Sequence, residues 1–429
     1  MNRKRILLPI WYEYYIFEYY LELSKELKLK GYEVDLITSD IVLYKKFTNA
    51  GLNSRYAPFL IRLFLKRSGN IFIRTLLWLS GYIWVSIIRR QYDFSILPWD
   101  NKPLWYIIQK KIPSMTIHNC TSLMDIEQEY NEHGAKKKHK VAEYLERIFN
   151  IKLLPRLNGI ILRHNYFWYL DRLLGLRSEN LLIGFSGIGL LTVTGNKIKE
   201  NLIKLGLPKK TKISVVGNPS YDNFIEYSIK FTHQNKRDFK KALNLNEDEE
   251  MFSLFLSPSS FSDTMIEEIE VVVNAVLFHN PNASICIKFH PKTEAKFYEI
   301  FDNFISQKTV NYKLITSFNG DLFNLDMILS SKCILLKQGT IAFIAMLVSA
   351  PIISYNLRDT FYHDDMMKTM KASFHSLSFE DILINLDKLN ITSEMKKLER
   401  LQVAACDKFC VRTSSSKSQI IEVIDDYFL

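Results

Sequence analysis

Short apolar runs alternate with longer amphipathic stretches in the first part of the chain. The run at residues 5–10 is followed by a helical pattern near 14–30 that ends at Gly31. Three later runs, "YEVDLITSD", "YDFSILPWDN" and "PSMTIHNCTS", have the same strand-like character and are separated by helix-like segments. This repeated strand–helix order predicts an α/β fold, in which a parallel sheet carries helices on both faces.

The alternation is interrupted once in the first half and then resumes. Residues from about 125 to 185 begin with the charged run "DIEQEYNEHGAKKKHK" and continue as arginine-bearing amphipathic helices, which predicts a helical insertion. "LLTVTGNKIKENLIKLGL" restores the strand–helix pattern, and "KISVVGNPSYDNF" ends a strand in the turn Gly217-Asn218-Pro219. We interpret this turn as the last of a first domain.

A second series of strand-like runs starts at Met251. It comprises "FSLFLSPSS", "ASICIKFHP", "YKLITSF", "MILSSKCILLKQGT" and "PIISYNL". Because 429 residues exceed one ordinary core, two domains are expected. The predicted division is a first domain at 1–224, a linker at 225–250, a second domain at 251–400 and C-terminal helices at 401–429, for which a return to the first domain is one option.

Composition says more about the partners and the cellular compartment of the protein than about its reaction. A net charge of +10 attracts nucleic acid, anionic membranes and phosphorylated substrates alike. Five scattered cysteines favour a reducing compartment over a disulfide framework, and Cys406 and Cys410 have no partners at zinc-site spacing, so we expect them to serve packing. The basic start is followed by a short apolar run and two glutamates, which does not fit a signal peptide, and a cytoplasmic protein is expected.

Residues 70–90, "NIFIRTLLWLSGYIWVSIIRR", are almost wholly apolar between basic ends. The apolar part is shorter than the ~20 residues that span a bilayer. Two interpretations remain, a buried helix of the α/β domain or a helix lying in a membrane interface, with aromatic rings at headgroup depth and arginines on anionic lipid. We favour the interfacial helix, with Arg74, Trp78, Tyr82, Trp84, Arg89 and Arg90 as contact residues.

Candidate catalytic residues stand where the predicted strands of the first domain end. Ligands of parallel α/β sheets collect at this edge. Asp100 and His118 end two of the strands, and Glu13 lies directly after the first. Each can accept a proton from an attacking hydroxyl. We favour His118 as the base, with Asp100 orienting it or the acceptor; the alternative for Asp100 is a helix cap before Pro103.

The second domain carries groups suited to phosphate at the same edge. Lys288 and His290 can donate to phosphate oxygens, and charge on a leaving group strengthens such bonds. Backbone N–H groups where Gly339-Thr340 opens a helix form a second anion site. The structural alternatives are a buried histidine and ordinary helix caps. The predicted donor-binding residues are Asn218, Ser259, Ser260, Lys288, His290, Pro291, Lys337, Gln338, Gly339 and Thr340.

The order of these motifs resembles that of GT-B-fold proteins. "IPSMTIHN", "TVTGNKIKENLIKLGL", "ISVVGNPSYDNF", "KFHPK" and "KQGTIAFIAML" follow one another as in UDP-GlcNAc 2-epimerases, lipid-A-disaccharide synthase and the sialyl-, Kdo- and glycerophosphotransferases of bacterial surface polysaccharides. The resemblance implies two Rossmann-like, doubly wound domains that face each other across a cleft, with the acceptor in the first and the nucleotide sugar in the second. It also implies that His290-Pro291 contacts the donor nucleotide.

Two positions depart from the families that the chain resembles. The glycosyltransferases usually carry a glutamate four residues beyond Thr340, where it grips ribose or sugar hydroxyls, and here Ile344 stands in its place. This departure puts a UDP-sugar in doubt and favours CMP- or CDP-linked donors. The epimerases carry His-x-Glu-Ala-Gly where this chain has "IHNCTS", so the carboxylate of that motif is missing here.

We therefore predict a glycosyltransferase that moves a sugar from a CMP-, UDP- or CDP-linked donor to a surface-polysaccharide or lipid-linked acceptor. It would act peripherally on the inner face of the cytoplasmic membrane and bind no nucleic acid. No Asp-x-Asp motif stands in a suitable strand-end loop, so we expect neither a metal nor another cofactor. The alternatives are a nucleotide-sugar epimerase and a non-catalytic basic binding protein.

Overall fold

The structure is a computed structural model, and most of the chain outside residues 119–189 is described by it. The predicted helical insertion at 125–185 lies outside the described residues. The described residues are 4–10, 17–59, 61–62, 71–98, 104, 107–108, 111–118, 190–204, 211–256, 263–290, 293, 295–307, 311–316, 320–337, 339, 341–357, 367, 370–413 and 415–429.

The chain forms two compact units. Unit 1 consists of Met1–Ser220 and Ser415–Leu429, and unit 2 of Tyr221–Ser414. The first boundary therefore falls directly after the Gly217-Asn218-Pro219 turn, slightly before the predicted 224. The second lies at Ser415 instead of 401, because the helix that spans 401 packs within unit 2, where Gln402 Nε2 donates to the backbone oxygen of Ala350 at 2.8 Å.

Unit 1 contains a seven-stranded sheet in which all neighbouring strands are parallel, in the order β3-β2-β1-β4-β5-β6-β7. β1 is apolar and buried from Ile6 to Ile10, as expected for a strand of a parallel sheet that is covered by helices on both faces. The edge strand β3 is mostly exposed, and the sequence pattern did not predict it. The strands are β1 (Arg5–Ile10), β2 (Glu33–Thr38), β3 (Asn53–Tyr56), β4 (Phe94–Pro98), β5 (Ser114–His118), β6 (Leu190–Val193) and β7 (Lys212–Val215).

Helices cover both faces of the unit 1 sheet. The helices are α1 (Phe17–Leu29), α2 (Ile41–Asn49), α3 (Ile71–Ile88), α4 (Asn196–Lys204) and, from the end of the chain, α13 (Ser416–Phe428). One face packs on α1, α2 and α13, and the other on α3 and the helical residues near Ile108. α1 ends at Leu29, two residues before the predicted Gly31, where φ is 90° and the Tyr32 N–H closes the turn on the Leu27 oxygen.

Unit 2 contains a six-stranded parallel sheet in the order β10-β9-β8-β11-β12-β13. Five of its strands follow the predicted runs, whereas "MILSS" belongs to the preceding helix and β13 was not predicted. The strands are β8 (Met251–Phe255), β9 (Ser284–Lys288), β10 (Tyr312–Ile315), β11 (Cys333–Leu336), β12 (Ile352–Tyr355) and β13 (Phe374–Ser376).

The helices of unit 2 lie on both faces of its sheet. One face packs on α7, α8 and α11 through a core that includes Val272, Phe301 and Ile382. On the opposite face, Cys286 Sγ lies 4.0 Å from Met327 Sδ of α9. The helices are α5 (Phe224–Lys230), α6 (His233–Ala242), α7 (Asp263–His279), α8 (Ala295–Ser306), α9 (Gly320–Ser330), α10 (Ile341–Leu347), α11 (Phe379–Lys388) and α12 (Thr392–Phe409).

The predicted linker at 225–250 contains most of α5 and all of α6. α6 begins with a capping box, in which Asn235 N–H donates to Thr232 Oγ1 at 3.2 Å and Thr232 N–H donates to Asn235 Oδ1 at 2.8 Å. The buried Lys240 then donates to the backbone oxygens of Glu247 and Glu249, at 3.0 and 2.5 Å. These bonds fix the entry into β8.

Both sheets have the strand order of a doubly wound Rossmann fold. In each, the two strands that follow the first strand in sequence are added to one side of it and the remaining strands to the other, so the order reverses between β1 and β4 in unit 1 and between β8 and β11 in unit 2. Such a switch point opens a crevice at the carboxyl ends of its two strands. These two positions are where ligand-binding residues are expected.

Candidate functional site

In sequence, the predicted catalytic residues of unit 1 end or follow the strands at and beside its switch point. Glu13 follows β1 and Asp100 follows β4, and both lie outside the described residues. His118 is the last residue of β5 and pairs in register with Val193, while its side chain is outside the described part. Their proposed roles therefore stay predictions.

Two polar residues near strand ends of unit 1 have local structural roles. The Asp40 carboxylate caps α2, because its Oδ1 accepts from the N–H groups of Val42 at 2.7 Å and Leu43 at 3.0 Å. Asn218, which we predicted to bind the donor, accepts from the N–H of Ser220 at 3.0 Å. Such an Asx turn sets the short 3₁₀ helix Pro219–Tyr221, so the described contact of Asn218 belongs to the turn.

Lys288 ends β9 beside the switch point of unit 2. It pairs in register with Phe255 of β8 and is buried, and burial lowers the pKa of its ammonium. Nζ lies 5.5 Å from the ring centroid of Phe323 in α9, at cation–π distance. His290 follows two residues later and is partly exposed. The structure therefore has a cation and an imidazole at the carboxyl edge of β9.

Lys337 directly follows β11, at the switch point itself. Its Nζ lies 2.6 Å from Oε2 of Glu268 in α7, and the two side chains are only 10% and 3% exposed. A glutamate on the neighbouring helix therefore balances the Lys337 charge, and the predicted donor contact of Lys337 stays a prediction. The ion pair fixes the place of the ammonium.

The two lysines lie on opposite faces of the sheet. Residues alternate along a strand, and Cys286 and Lys288 face α9. Leu335 belongs to the core that contains α7, and Lys337, two positions later, contacts Glu268 on the same side. Lys288 and Leu336 are separated by β8 alone, so their backbones are about 10 Å apart. The cations thus flank the edge of β8 from two sides.

Gly339 precedes α10 with a φ of 147°, which side chains other than glycine rarely adopt. Its oxygen accepts from the N–H of Ala342 at 3.1 Å. Ile344 is buried in α10, so its position offers no polar group to a ligand. The remaining predicted donor residues, Ser259, Ser260, Pro291, Gln338 and Thr340, lie outside the described residues.

Glu268 is a site residue that the sequence interpretation missed. It lies four residues before the buried Val272 and eight before the buried Val276, so helical periodicity places it on the core side of α7. A carboxylate on that side is unusual and needs a partner. Its Oε1 is buried and has no hydrogen-bond partner among the described residues. The partner of Oε2, Lys337, is 69 positions away in sequence, which no local pattern reveals.

The apolar helix α3 differs from its predicted orientation. Tyr82 and Trp84, expected at headgroup depth, pack against the core, and Lys111 Nζ donates to the Tyr82 hydroxyl at 2.6 Å. Among residues 79–88, the exposed hydrophobic side chains are Leu79, Ile83 and Ile87, spaced four apart, and they are followed by exposed Arg89 and Arg90. The side chains of Arg74 and Trp78 are outside the described part. Within the described chain, every helix is too short or too polar to cross a bilayer.

A cavity of about 400 Å³ opens at the opposite, amino edge of the unit 1 sheet. Its floor is Asp35, which accepts hydrogen bonds from Tyr92 Oη at 2.9 Å and Arg5 Nη2 at 3.0 Å and also from Asn53. The burial and the carboxylate raise the pKa of Tyr92. These groups satisfy one another, and the cavity is far from the strand ends that carry the predicted chemistry. It is lined by Arg5, Lys28, Gly31, Tyr32, Glu33, Val34, Asp35 and Asn53.

No protein-family model and no curated protein sequence matches this chain. Solved structures do match it over nearly its whole length. A UDP-GlcNAc 2-epimerase from Neisseria meningitidis bound to UDP-GlcNAc has a TM-score of 0.61 at 13% identity, over 98% of this chain and 100% of its own. A glycosyltransferase from Rickettsia africae has a TM-score of 0.60 at 14% identity, over 99% of both chains.

The fold is GT-B. The wall teichoic acid polymerase TagF, in a structure with CDPG, also matches, with a TM-score of 0.56 at 11% identity over 99% of this chain and 88% of its own. The predicted class, two Rossmann-like parallel-sheet domains, is confirmed. The structural match establishes a shared GT-B architecture. At identities this low it does not establish the reaction, which has to be inferred from the residues of the site.

Proposed function

We propose that this GT-B protein is a glycosyltransferase that moves a sugar from a CMP-, UDP- or CDP-linked donor to a surface-polysaccharide or lipid-linked acceptor. The observation that carries the proposal is the pair of lysines that flank the switch point of unit 2, the buried Lys288 and Lys337 with its 10% exposed side chain. Neighbours of the same fold are described with UDP, UDP-GlcNAc and CDPG, which supports a nucleotide-linked substrate.

The proposed chemistry is positioning together with stabilisation of the leaving group. Departure of the sugar leaves negative charge on the phosphate of the nucleotide, and the sugar passes through an oxocarbenium-like state. Lys288 and His290 would donate to the phosphate oxygens, and these bonds strengthen as the charge develops. Burial suits Lys288 to this role, because an electrostatic interaction in an environment of low dielectric constant is stronger than one in water.

The acceptor hydroxyl needs a base, and we propose His118 for it, with Asp100 orienting the base or the acceptor and Glu13 as the third candidate. The support is positional: β1 and β4 form the switch point of unit 1, and β5 is the next strand. We propose a reaction without a metal ion, in which Lys288 and His290 contact the phosphate. Adding EDTA to the assay tests this proposal, and loss of activity that Mg²⁺ restores would contradict it.

Nucleotide binding is the first test. Calorimetric titration with CMP, CDP, UDP and GDP and their sugar conjugates should give binding by at least one nucleotide. Lys288→Met should weaken that binding about 10- to 100-fold, because a hydrogen bond to a charged group contributes about 1.5–3 kcal/mol. His290→Ala should weaken it less. The matched control is Lys332→Met, because Lys332 pairs with Glu250 at 2.8 Å at the amino end of β11. Equal effects of the control and Lys288→Met would refute the assignment.

A nucleotide-sugar epimerase is the second candidate, and the epimerase structures among the GT-B neighbours favour it. Against it stands the stretch "IHNCTS", which has no carboxylate where the epimerases that the sequence resembles carry His-x-Glu-Ala-Gly. Product analysis separates the two. A transferase releases free nucleotide only when acceptor is present, whereas an epimerase converts the donor to its C2 epimer without acceptor. A non-catalytic basic binding protein would give neither product and no selectivity among nucleotide sugars.

For the place of action, we propose that the exposed stripe of α3, Leu79, Ile83 and Ile87, lies in the inner face of the cytoplasmic membrane. Arg89 and Arg90 would then meet anionic headgroups. Changing all three stripe residues to Asn should lower the affinity for phosphatidylglycerol-containing liposomes, measured by sedimentation, about 100-fold. Burying the exposed half of each side chain contributes about 1 kcal/mol. Ile203→Asn, at an exposed position of α4, is the control. Unchanged sedimentation of the triple variant would refute the proposal.

A further inference from the structure

The ion pair between Glu268 and Lys337 is costly for its place in the protein. Both side chains are nearly fully buried, and removing two charges from water carries a penalty that their attraction often only balances. The cost is larger here because Oε1 of Glu268 is also buried and has no hydrogen-bond partner among the described residues. An apolar pair of similar volume would satisfy the packing as well, so stability alone does not explain these residues.

The position of the pair suggests what it does. Leu336, the residue before Lys337, pairs in register with Phe255, the last residue of β8, and α7 with Glu268 is the helix that follows β8. The pair is therefore built from the two chain segments that leave the switch-point strands of unit 2. Ligands of doubly wound folds bind in the crevice at that point.

A second ion pair, at the other end of β11, is more exposed than the pair of Glu268 and Lys337. Lys332, directly before β11, has its Nζ 2.8 Å from Glu250 Oε1, with side-chain exposures of 30% and 44%. That pair lies at the amino edge of the sheet, in partial contact with solvent, where it costs little and contributes little. The chemistry of the two pairs is the same, and they differ in burial and in the edge at which they stand.

We propose that Glu268 is a positioning residue, which holds the Lys337 ammonium at the switch point of unit 2 so that it meets a phosphate oxygen of the nucleotide donor. The role rests on the proposed function. A lysine side chain has four rotatable bonds, and an anchored ammonium has lost that freedom before the ligand arrives. With Lys288 on the opposite face of the sheet, the phosphate would be contacted from both sides of the β8 edge.

The test separates positioning from structural support. Glu268→Leu leaves a buried ammonium without its carboxylate, and we expect a loss of both stability and nucleotide affinity. The double variant Glu268→Leu/Lys337→Met replaces the pair by apolar groups, so its stability in urea should return to that of the wild type. Its affinity for the nucleotide that the wild type binds should stay at least about tenfold weaker, a difference of ~1.4 kcal/mol. The matched control, Glu250→Leu/Lys332→Met, should bind like the wild type.

Wild-type affinity in the stable double variant would overturn the role of Glu268 and leave the proposed function intact. If the wild type binds no nucleotide, both are wrong. Should the double variant not fold, Glu268→Gln and Glu268→Ala decide the question. The glutamine keeps an oxygen that accepts from the ammonium, so it should retain most of the affinity that alanine loses. Equal nucleotide affinities for the two variants would contradict positioning.

Discussion

Asp35→Ala is expected to destabilise unit 1 strongly while leaving unit 2 unchanged. The Asp35 side chain is 4% exposed and lies on β2, between groups from three other strands or their flanks. Its carboxylate accepts from the Tyr92 hydroxyl at 2.9 Å and pairs with Arg5 at 3.0 Å and Arg55 at 3.3 Å. Truncation removes the common partner of all these groups.

The magnitude follows from the burial of each partner. The hydrogen bond from the buried Tyr92 to a carboxylate contributes about 1.5–3 kcal/mol. The two arginines are 34% and 48% exposed and can be solvated, so each pair contributes at most about 1 kcal/mol. The sum is about 3 kcal/mol, a large part of the 5–15 kcal/mol by which a domain is usually stable. Glu33→Ala is the control, because Glu33 pairs with the same Arg5 at 3.4 Å but is half exposed.

Hydrogen exchange followed by mass spectrometry is the suitable assay, because a two-unit chain need not unfold in one step. Amides of β1, β2 and β4 in Asp35→Ala should exchange about 100-fold faster than in the wild type, while those of β8 and β9 keep their rates. Glu33→Ala should change the rates less than threefold. The reasoning is refuted if both variants leave the unit 1 amides equally protected.

Three further predictions concern local features. Burial and the hydrogen bond to Asp326 raise the pKa of Tyr227 to about 12, so the folded state keeps this proton at a pH where the unfolded state has lost it. The stability that results is complete below pH 10 and is lost between pH 10 and 12. Urea titrations of Tyr227→Phe should therefore show a smaller loss of stability over this pH range than those of the wild type. Burial raises the pKa of the Cys286 and Cys406 thiols to about 12, so alkylation at pH 8 mapped by mass spectrometry should leave both unmodified until urea is added, and labelling of the folded protein would contradict their burial. Asp40→Ala should cost about 1 kcal/mol in thermal unfolding, and Asp40→Ser should recover most of it because serine also caps helices.

The sequence predicted the α/β class and most strands correctly, because buried parallel strands are apolar along their length and are separated by helices. It missed β3 and β13, which are short strands at sheet edges. Asn53, Ser54 and Arg55 have no apolar alternation, since an edge strand with solvent contact does not require it. The segment "MILSS" was assigned to a strand because a short apolar run is equally compatible with a buried helix turn.

The site was predictable where it depends on position along a strand, and not where it depends on contacts. Lys288 and Lys337 stand directly at or after strand ends, so the β-pattern located them at the carboxyl edge. Their separation onto two faces follows from residue parity, which the prediction did not use. Tertiary packing pairs Lys337 with Glu268 and turns Tyr82 and Trp84 toward the core. Neither contact can be read from composition or from a local sequence pattern.

The last helix of the chain belongs to unit 1, and this has a consequence for synthesis. Ile420, Ile421 and Ile424 of α13 pack with Ile6, Leu8 and Phe94 of the first sheet, and all of unit 2 is encoded between them. A ribosome therefore exposes the complete sequence of unit 2 before it releases the helix that covers β1 and β4. Domains usually fold as they emerge, amino end first. Here the part of the first sheet that α13 covers has to stay exposed, or shielded by a chaperone, until unit 2 and then α13 have been synthesised.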